Sequence, residues 1–166
     1  PHPATVEIER LQRECETMRT RGSGPGGQHR NKVETAVVLK HLPTSVTASA
    51  SEARSQRQNS SGALFRLRMR LALKVRTPPG DGPSGLWLSR CKGGRISINV
   101  KHADFPALMA EALDMIWKLQ DVRAASEALG LSTSQLVKFL AKEAAALSWV
   151  NDLRKSKGLL PLKSSR

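Results

Sequence analysis

The sequence predicts an α+β fold: a small β-hairpin sheet packed on a long helix, followed by a small all-helical unit. Three observations carry this expectation. Short runs of alternating apolar and polar residues fill positions 14–50, one apolar stripe at helical spacing runs through 55–76, and from Asp104 onward helical periodicity is nearly unbroken. The expected boundaries are a first domain over 1–76, a linker with a possible β-hairpin over 77–103, a helix-turn-helix-like helical unit over 104–158 and a basic tail over 159–166.

Taken in order, TVEIERLQR (5–13) suits a short helix with Thr5 as its cap and Val6, Ile8 and Leu11 as its less polar positions. ECETMRT (14–20) alternates and reads as a strand leading into a glycine-rich stretch. ETAVVLKH (34–41) and SVTASA (45–50) flank LPT, which makes a hairpin. Ser55 and Gln58 form a capping box ahead of a helix that buries Ala63, Leu64, Leu67, Leu71 and Val75 and shows Arg57, Arg66, Arg70 and Lys74 elsewhere. TPPGDGPSG (77–85) is a break no helix crosses, after which LWLSR and RISINV are expected as two strands pairing across CKGG. Asp104 is the expected cap of FPALMAEALDMIWKLQ, with Leu108, Ala112, Met115 and Leu119 on its apolar side. Helical segments over 122–140 and 141–158 come next, and LLPLKSSR reads as an unanchored tail.

Charge is unevenly spread. Residues 1–103 hold 18 Lys/Arg against 7 Asp/Glu, 104–153 hold 4 against 7, and 154–166 hold 5 against none, giving +13 for the chain. A polyanion is therefore expected to meet the first part, and nucleic acid is the default polyanion. There is no run of 18 apolar residues and no secretory layout at the N-terminus, so a soluble, cytoplasmic protein without a membrane partner is expected. Cys15 and Cys91 have no second Cys or His at ligand spacing, so neither a disulfide framework nor a metal site is expected, and no cofactor is called for. Trp87, Trp117 and Trp149 are read as packing residues rather than base-stacking platforms.

The informative stretch is RGSGPGGQHRNK (21–32). It has no nucleophile beside a base, no carboxylate pair and no GKS or GKT ending for a nucleotide phosphate. His29 is its one general-base candidate, although beside so many cations a phosphate or RNA contact is the preferred role. What the stretch offers is backbone. Two consecutive glycines reach conformations closed to other residues and let the main chain approach a substrate. The N–H of the next residue can then stabilise a developing oxyanion, and a neutral glutamine side chain can order water without titrating. That combination suits hydrolysis of an already activated ester, with positioning supplying most of the rate.

The motifs R-x-S-G-x-G-G-Q-H-x-N-K, T-A-V, H-L-P-T, R-S-Q and a following N, in that order over roughly residues 14–76, closely resemble the catalytic domain of class I peptide chain release factors and their rescue relatives. The resemblance implies a GGQ-type α+β domain that hydrolyses the ester of peptidyl-tRNA in the ribosomal peptidyl transferase centre. By the same resemblance Gly26, Gly27 and Gln28 are catalytic. It further implies that Arg21, Ser23, Gly24, His29, Arg30, Asn31 and Lys32, with Arg54, Ser55 and Gln56, contact large-subunit rRNA and tRNA or brace the loop. A glutamine methyltransferase acting on Gln28 is a possible further partner. Arg30 stands where the family usually has a small apolar residue, and Ser45 where glycine commonly follows H-L-P-T.

Release factors of this family also carry a domain that reads the stop codon. About 13 residues ahead of the first strand would not hold one, so codon-independent release from stalled or damaged ribosomes is expected. A non-catalytic RNA- or ribosome-binding regulatory protein that keeps the fold is the alternative. AASEALGLSTSQLVKFL resembles the helix-turn-helix of Fis-type DNA-binding proteins, with Ser132 as a cap, Leu136 and Leu140 inward, and Ser134, Gln135 and Lys138 as the surface that would read nucleic acid. The excess of acidic residues over 104–153 favours a packing role and makes DNA an unexpected partner.

Overall fold

The computed structural model describes residues 1–21 and 35–165. Within it the chain forms two compact units, Pro1–Val75 and Arg76–Arg166.

In the first unit a 3-10 turn, Pro3–Thr5, precedes α1 (Ile8–Arg13), β1 (Cys15–Thr20), β2 (Ala36–His41), β3 (Thr47–Ala50) and α2 (Gln56–Lys74). The strands form an antiparallel sheet in the order β1-β2-β3. Thr5 does not cap α1: His2 caps the 3-10 turn instead, its Nδ1 accepting from Ala4 N–H at 3.0 Å while Nε2 donates to Val75 O at 3.0 Å. Pro at the first position of the turn starts it early, so Thr5 is already inside it. Leu11 is fully buried and Ile8 is exposed.

Strand alternation puts Val37 and Leu39 of β2 opposite Ala50 and Ala48 of β3, and all four are buried. α2 covers this face with Ala63, Leu67 and Leu71, also fully buried. Small residues set the distance between the layers: a Cβ at Gly62 would lie 3.4 Å from the Cβ of Ala50. The edge of β3 is covered by arginines from α2, Arg66 donating to Ser49 O at 2.8 Å and Arg70 to Thr47 O at 2.5 Å. Unpaired edge carbonyls are thereby satisfied within the unit. Arg68 likewise donates to Ala4 O at 2.9 Å.

The H-L-P-T turn has a structural task. His41 is 1% exposed, with Nδ1 2.7 Å from Thr44 Oγ1 and Nε2 3.2 Å from Glu14 Oε2, so it ties the turn to the start of β1. Ser45, at the position where glycine commonly follows H-L-P-T, has φ 58° and so occupies the left-handed conformation that glycine favours.

The second unit contains α3 (Gly85–Arg90), the strand pair β4 (Cys91–Lys92) and β5 (Arg95–Ile96), and α4 (Phe105–Leu119), α5 (Val122–Ala128), α6 (Thr133–Leu140) and α7 (Ala144–Ser156). LWLSR is therefore helical and not the expected strand. Ser84 Oγ accepts from Trp87 N–H at 3.1 Å to cap it, and Trp87, fully buried, donates its indole N–H to Leu129 O at 2.9 Å. The alternation of Leu86, Trp87 and Leu88 marks one buried ring between two more exposed leucines, on a helix too short to show its own period. RISINV contributes only Arg95 and Ile96 to a strand, across a turn in which Gly93 and Gly94 have φ 56° and 70°.

α4 is the centre of this unit, with every residue from Phe105 to Ala110 and from Ala112 to Ile116 buried, a wider core than the expected stripe, whereas Leu119 is exposed. Asp104 precedes it but makes no side-chain cap, because its carboxylate accepts from Arg90 Nη2 at 2.6 Å. Asp114, buried in α4, accepts from Arg76 Nη1 at 3.0 Å and from Thr77 Oγ1 at 2.8 Å, and the Arg76 guanidinium lies 5.2 Å from the ring centre of Trp149. Phe139 meets both Trp87 and Phe105 edge-on at 5.7 Å. Of the three tryptophans only Trp87 is fully buried; Trp117 is 40% exposed. The chain after Gly158 is anchored rather than free: Leu162 exchanges hydrogen bonds with Asn151 at 2.7 and 3.2 Å, and Arg154 Nε donates to Leu160 O at 2.8 Å.

Candidate functional site

Gly26, Gly27 and Gln28, together with Ser23, Gly24, His29, Arg30, Asn31 and Lys32, lie outside the described residues. The residues on either side show how their segment is held at both ends. Residues 21–35 join β1 to β2, and the last pair of that ladder is Thr20 with Ala36. The strand pairing therefore sets Thr20 and Ala36, the strand residues on either side of this connection, next to each other at one end of the sheet. Cys15 pairs with His41 at the opposite end, five residues away, or about 17 Å along an antiparallel strand. The H-L-P-T turn belongs to that far end.

Arg21 continues from β1 and is exposed. Arg54 and Ser55 are exposed and Gln56 is half-buried, at the start of α2. Ser55 caps that helix, its Oγ accepting from Gln58 N–H at 3.4 Å. The R-S-Q element is thus a helix start with an arginine left in solvent, and the serine is committed to the backbone.

The residue joining these two regions is Asn59, one turn into α2. It is 1% exposed, and all its bonds go to main chain. Its Nδ2 donates to Thr35 O at 2.8 Å and to Ala53 O at 3.0 Å, while its Oδ1 accepts from Ala53 N–H at 3.0 Å. One amide therefore fastens the residue that returns the candidate catalytic segment to β2 onto the segment that carries Arg54, Ser55 and Gln56. An amide is required here because the site presents both donors and acceptors, and neither carboxylate nor aliphatic isosteres satisfy all three bonds. In the sequence this asparagine stands within the motif with no evident task of its own. A buried polar residue on an otherwise apolar helix face, three residues after R-S-Q, was the available signal.

Glu52, in the same connection, is bonded to Arg66 and accepts from Ser51 N–H at 3.0 Å. The Arg66 guanidinium, followed by nearby backbone N–H groups, lowers its carboxyl to about 2. At the far end of the sheet, hydrogen bonds from Arg10 and then His41 hold the Glu14 carboxyl below its ordinary range. Burial, the larger cause, and the Glu14 charge raise the Cys15 thiol, which is free and half-buried like Cys91. Among the described residues no group of three His, Cys, Asp or Glu could hold a metal ion, and no helix is long and apolar enough to cross a membrane.

Residues 3–78 match the family model of the RF-1 domain. The chain is 34% identical over 106 residues to peptide chain release factor 1 of Acidiphilium cryptum, which is 64% of this chain and 30% of that protein. It is 36% identical over 106 residues to peptide chain release factor 1 of Caulobacter vibrioides, with the same coverage. Against peptide chain release factor 2 of Paramagnetospirillum magneticum it is 42% identical over 67 residues, 40% of this chain and 18% of that protein. The first unit is a class I release factor-like domain. The chain spans about 30% of the length of the two release factor 1 relatives.

Proposed function

We propose that this protein hydrolyses the peptidyl-tRNA ester in the peptidyl transferase centre of the large ribosomal subunit. The observation that carries the reading is the RF-1 match over residues 3–78, which contains Gly26-Gly27-Gln28 in a segment whose ends are fixed by the Thr20–Ala36 strand pair and by Asn59. Water attacks the ester carbonyl carbon, the bond to the tRNA ribose oxygen breaks, and the products are a free peptide carboxylate and a tRNA hydroxyl. Gly26 and Gly27 let the main chain approach the ester. The Gln28 N–H stabilises the oxygen that gains charge, and its side chain orders the water. Arg21, His29, Arg30, Asn31, Lys32 and Arg54 bind rRNA and tRNA, and a methyltransferase modifying Gln28 is an additional partner. The first unit carries 13 Lys/Arg against 6 Asp/Glu, which suits an RNA-lined site.

The finer reading is release that does not depend on a codon, as needed on stalled or damaged ribosomes. It rests on the resemblance of the motifs to the rescue relatives of this family, and residues 105–156, beyond the RF-1 match, add four helices around their own core as a docking unit for the ribosome. The test is peptide release by the purified protein from ribosomes carrying a stop codon, a sense codon or no codon in the A site. Equal release from all three is expected. Release confined to stop codons overturns codon independence, and no release from any of them overturns the enzymatic reading in favour of a non-catalytic ribosome-binding role.

A further inference from the structure

Several carboxylates of the second unit are spent on cations of the same unit. Arg76 pairs with Asp114, Arg90 with Asp104, Lys118 with Asp81 and Arg123 with Glu127. One part of the unit is different. Between β5 and α6 lies an open cleft of about 320 Å³ lined by Arg95, Lys138 and Lys142 and by no acidic residue. Lys142 Nζ donates to Ile98 O at 2.8 Å, while Arg95 and Lys138 are exposed and make no ion pair among the described residues. The spacing of α6 produces part of this face: Gln135 and Lys138 fall on one side and Leu136 and Leu140, fully buried, on the other, while Lys142 follows two residues after the helix ends. Ser132 caps the helix through Gln135 N–H at 3.2 Å, and Gly130, with φ 73°, turns the chain into it from α5.

We infer that this cleft is a second nucleic-acid site, binding the phosphodiester backbone of RNA. Three cations without a carboxylate select a polyanion, and an exposed cleft suits a chain passing along it better than an enclosed small ligand. The floor residues Ile96 and Phe139 are 9% and 1% exposed, so no aromatic face is available for stacking a base. Binding is therefore to backbone and independent of base sequence. Ser97 and Gln135 add neutral hydrogen-bonding groups beside the cations, which suit a ribose 2′-hydroxyl. The choice of RNA over DNA also rests on the ribosomal role proposed for the first unit. Functionally, the cleft gives the helical unit an RNA grip separate from the RF-1 domain, and it uses Gln135 and Lys138, the residues that the helix-turn-helix resemblance points toward DNA.

The test uses the full chain, with fluorescence anisotropy on a labelled 12-nucleotide single-stranded RNA across a salt series. The double variant Arg95→Gln/Lys138→Gln is compared with Lys101→Gln/Lys155→Gln, an equal charge change at exposed lysines that do not line the cleft. Each phosphate contact on a single strand contributes about 0.7 to the slope of log affinity against log salt, so the cleft variant should lose about 1.4 in slope and about tenfold in affinity at 0.15 M salt. The single variant Lys138→Glu should lose at least as much affinity as one neutralised contact, and the control pair less than about twofold. Equal losses in cleft and control variants, or no RNA binding by the unaltered protein, overturn the proposal. Equal or tighter binding of a DNA of the same length overturns the assignment to RNA. Gln28→Ala separates this inference from the proposed reaction: it should bind the RNA normally while releasing peptide slowly. Normal release by that variant would remove the reaction without removing the cleft.

Discussion

Replacing Asn59 by alanine removes three hydrogen bonds at once, those to Thr35 O, Ala53 O and Ala53 N–H. A hydrogen bond of this kind is worth about 1 kcal/mol net, and the cost rises when the abandoned group stays buried. Thr35 is 6% exposed and Asn59 itself 1%, so water does not readily replace the amide, and the loss should reach about 3 kcal/mol. Two readouts separate a positioning role from bulk stability. Hydrogen exchange at the Ala53 amide should accelerate more than exchange in the middle of α2. Peptide release should also fall about tenfold or more at a temperature where the variant remains folded, since displacing reactive groups by about 1 Å can cost about a hundredfold. Asn59→Asp presents a carboxylate to two carbonyl oxygens and should be worse than alanine at neutral pH. It should recover partly as pH falls, because the protonated acid regains one donor. If Asn59→Ala unfolds at the same denaturant concentration as the unaltered chain and releases peptide at the same rate, Asn59 is not a clamp.

Ser45→Gly should stabilise the first unit by about 0.5–1 kcal/mol in urea unfolding, because a left-handed conformation costs a residue with a Cβ about 1–2 kcal/mol and glycine returns only part of that through unfolded-chain entropy; the relevant φ is 58°. Asp114→Ala should destabilise the second unit by about 3–5 kcal/mol, since it strands the half-buried Arg76 guanidinium, whose pKa burial already lowers against the opposing pull of Asp114. Thermal unfolding followed at Trp87 measures it. Glu52, lowered to about 2, should add stability that is complete above its ordinary value of 4.5 and is lost as pH falls toward 2. The stability gap between the unaltered chain and Glu52→Gln should therefore be at most about 1 kcal/mol, both partners being exposed, and should close over that acid interval.

The first unit was legible because its motifs carry their own structural reasons. H-L-P-T needs a histidine that can bond on both sides, and the serine of R-S-Q is a helix cap; spacing alone placed β1, β2, β3 and α2 within about two residues of where they lie. The task of Asn59 was not legible, because it depends on Thr35, 24 residues earlier in the chain. In the second unit, helix periodicity located α4 to α7, including the Ser132 cap. Shorter segments misled. LWLSR alternates like a strand, yet six residues cannot distinguish that from one buried tryptophan on a capped turn. Asp104 had the right identity and position for a cap, but Arg90, 14 residues away, takes its carboxylate. The C-terminal residues read as an unanchored basic tail because Asn151, which holds Leu162, is an ordinary polar residue of the preceding helix.

The central claim is that Gln28 and the glycines before it act on the peptidyl-tRNA ester. Single-turnover peptide release from ribosomes with an empty A site, compared for the unaltered chain, Gln28→Ala and Gly27→Ala, tests it most directly. Measurable release by the unaltered protein is expected, with about tenfold or more slower release by Gln28→Ala and a larger loss for Gly27→Ala, where an added Cβ restricts the backbone that must approach the ester. Both variants should bind ribosomes as the unaltered protein does. Release by both variants at the rate of the unaltered chain would contradict the claim.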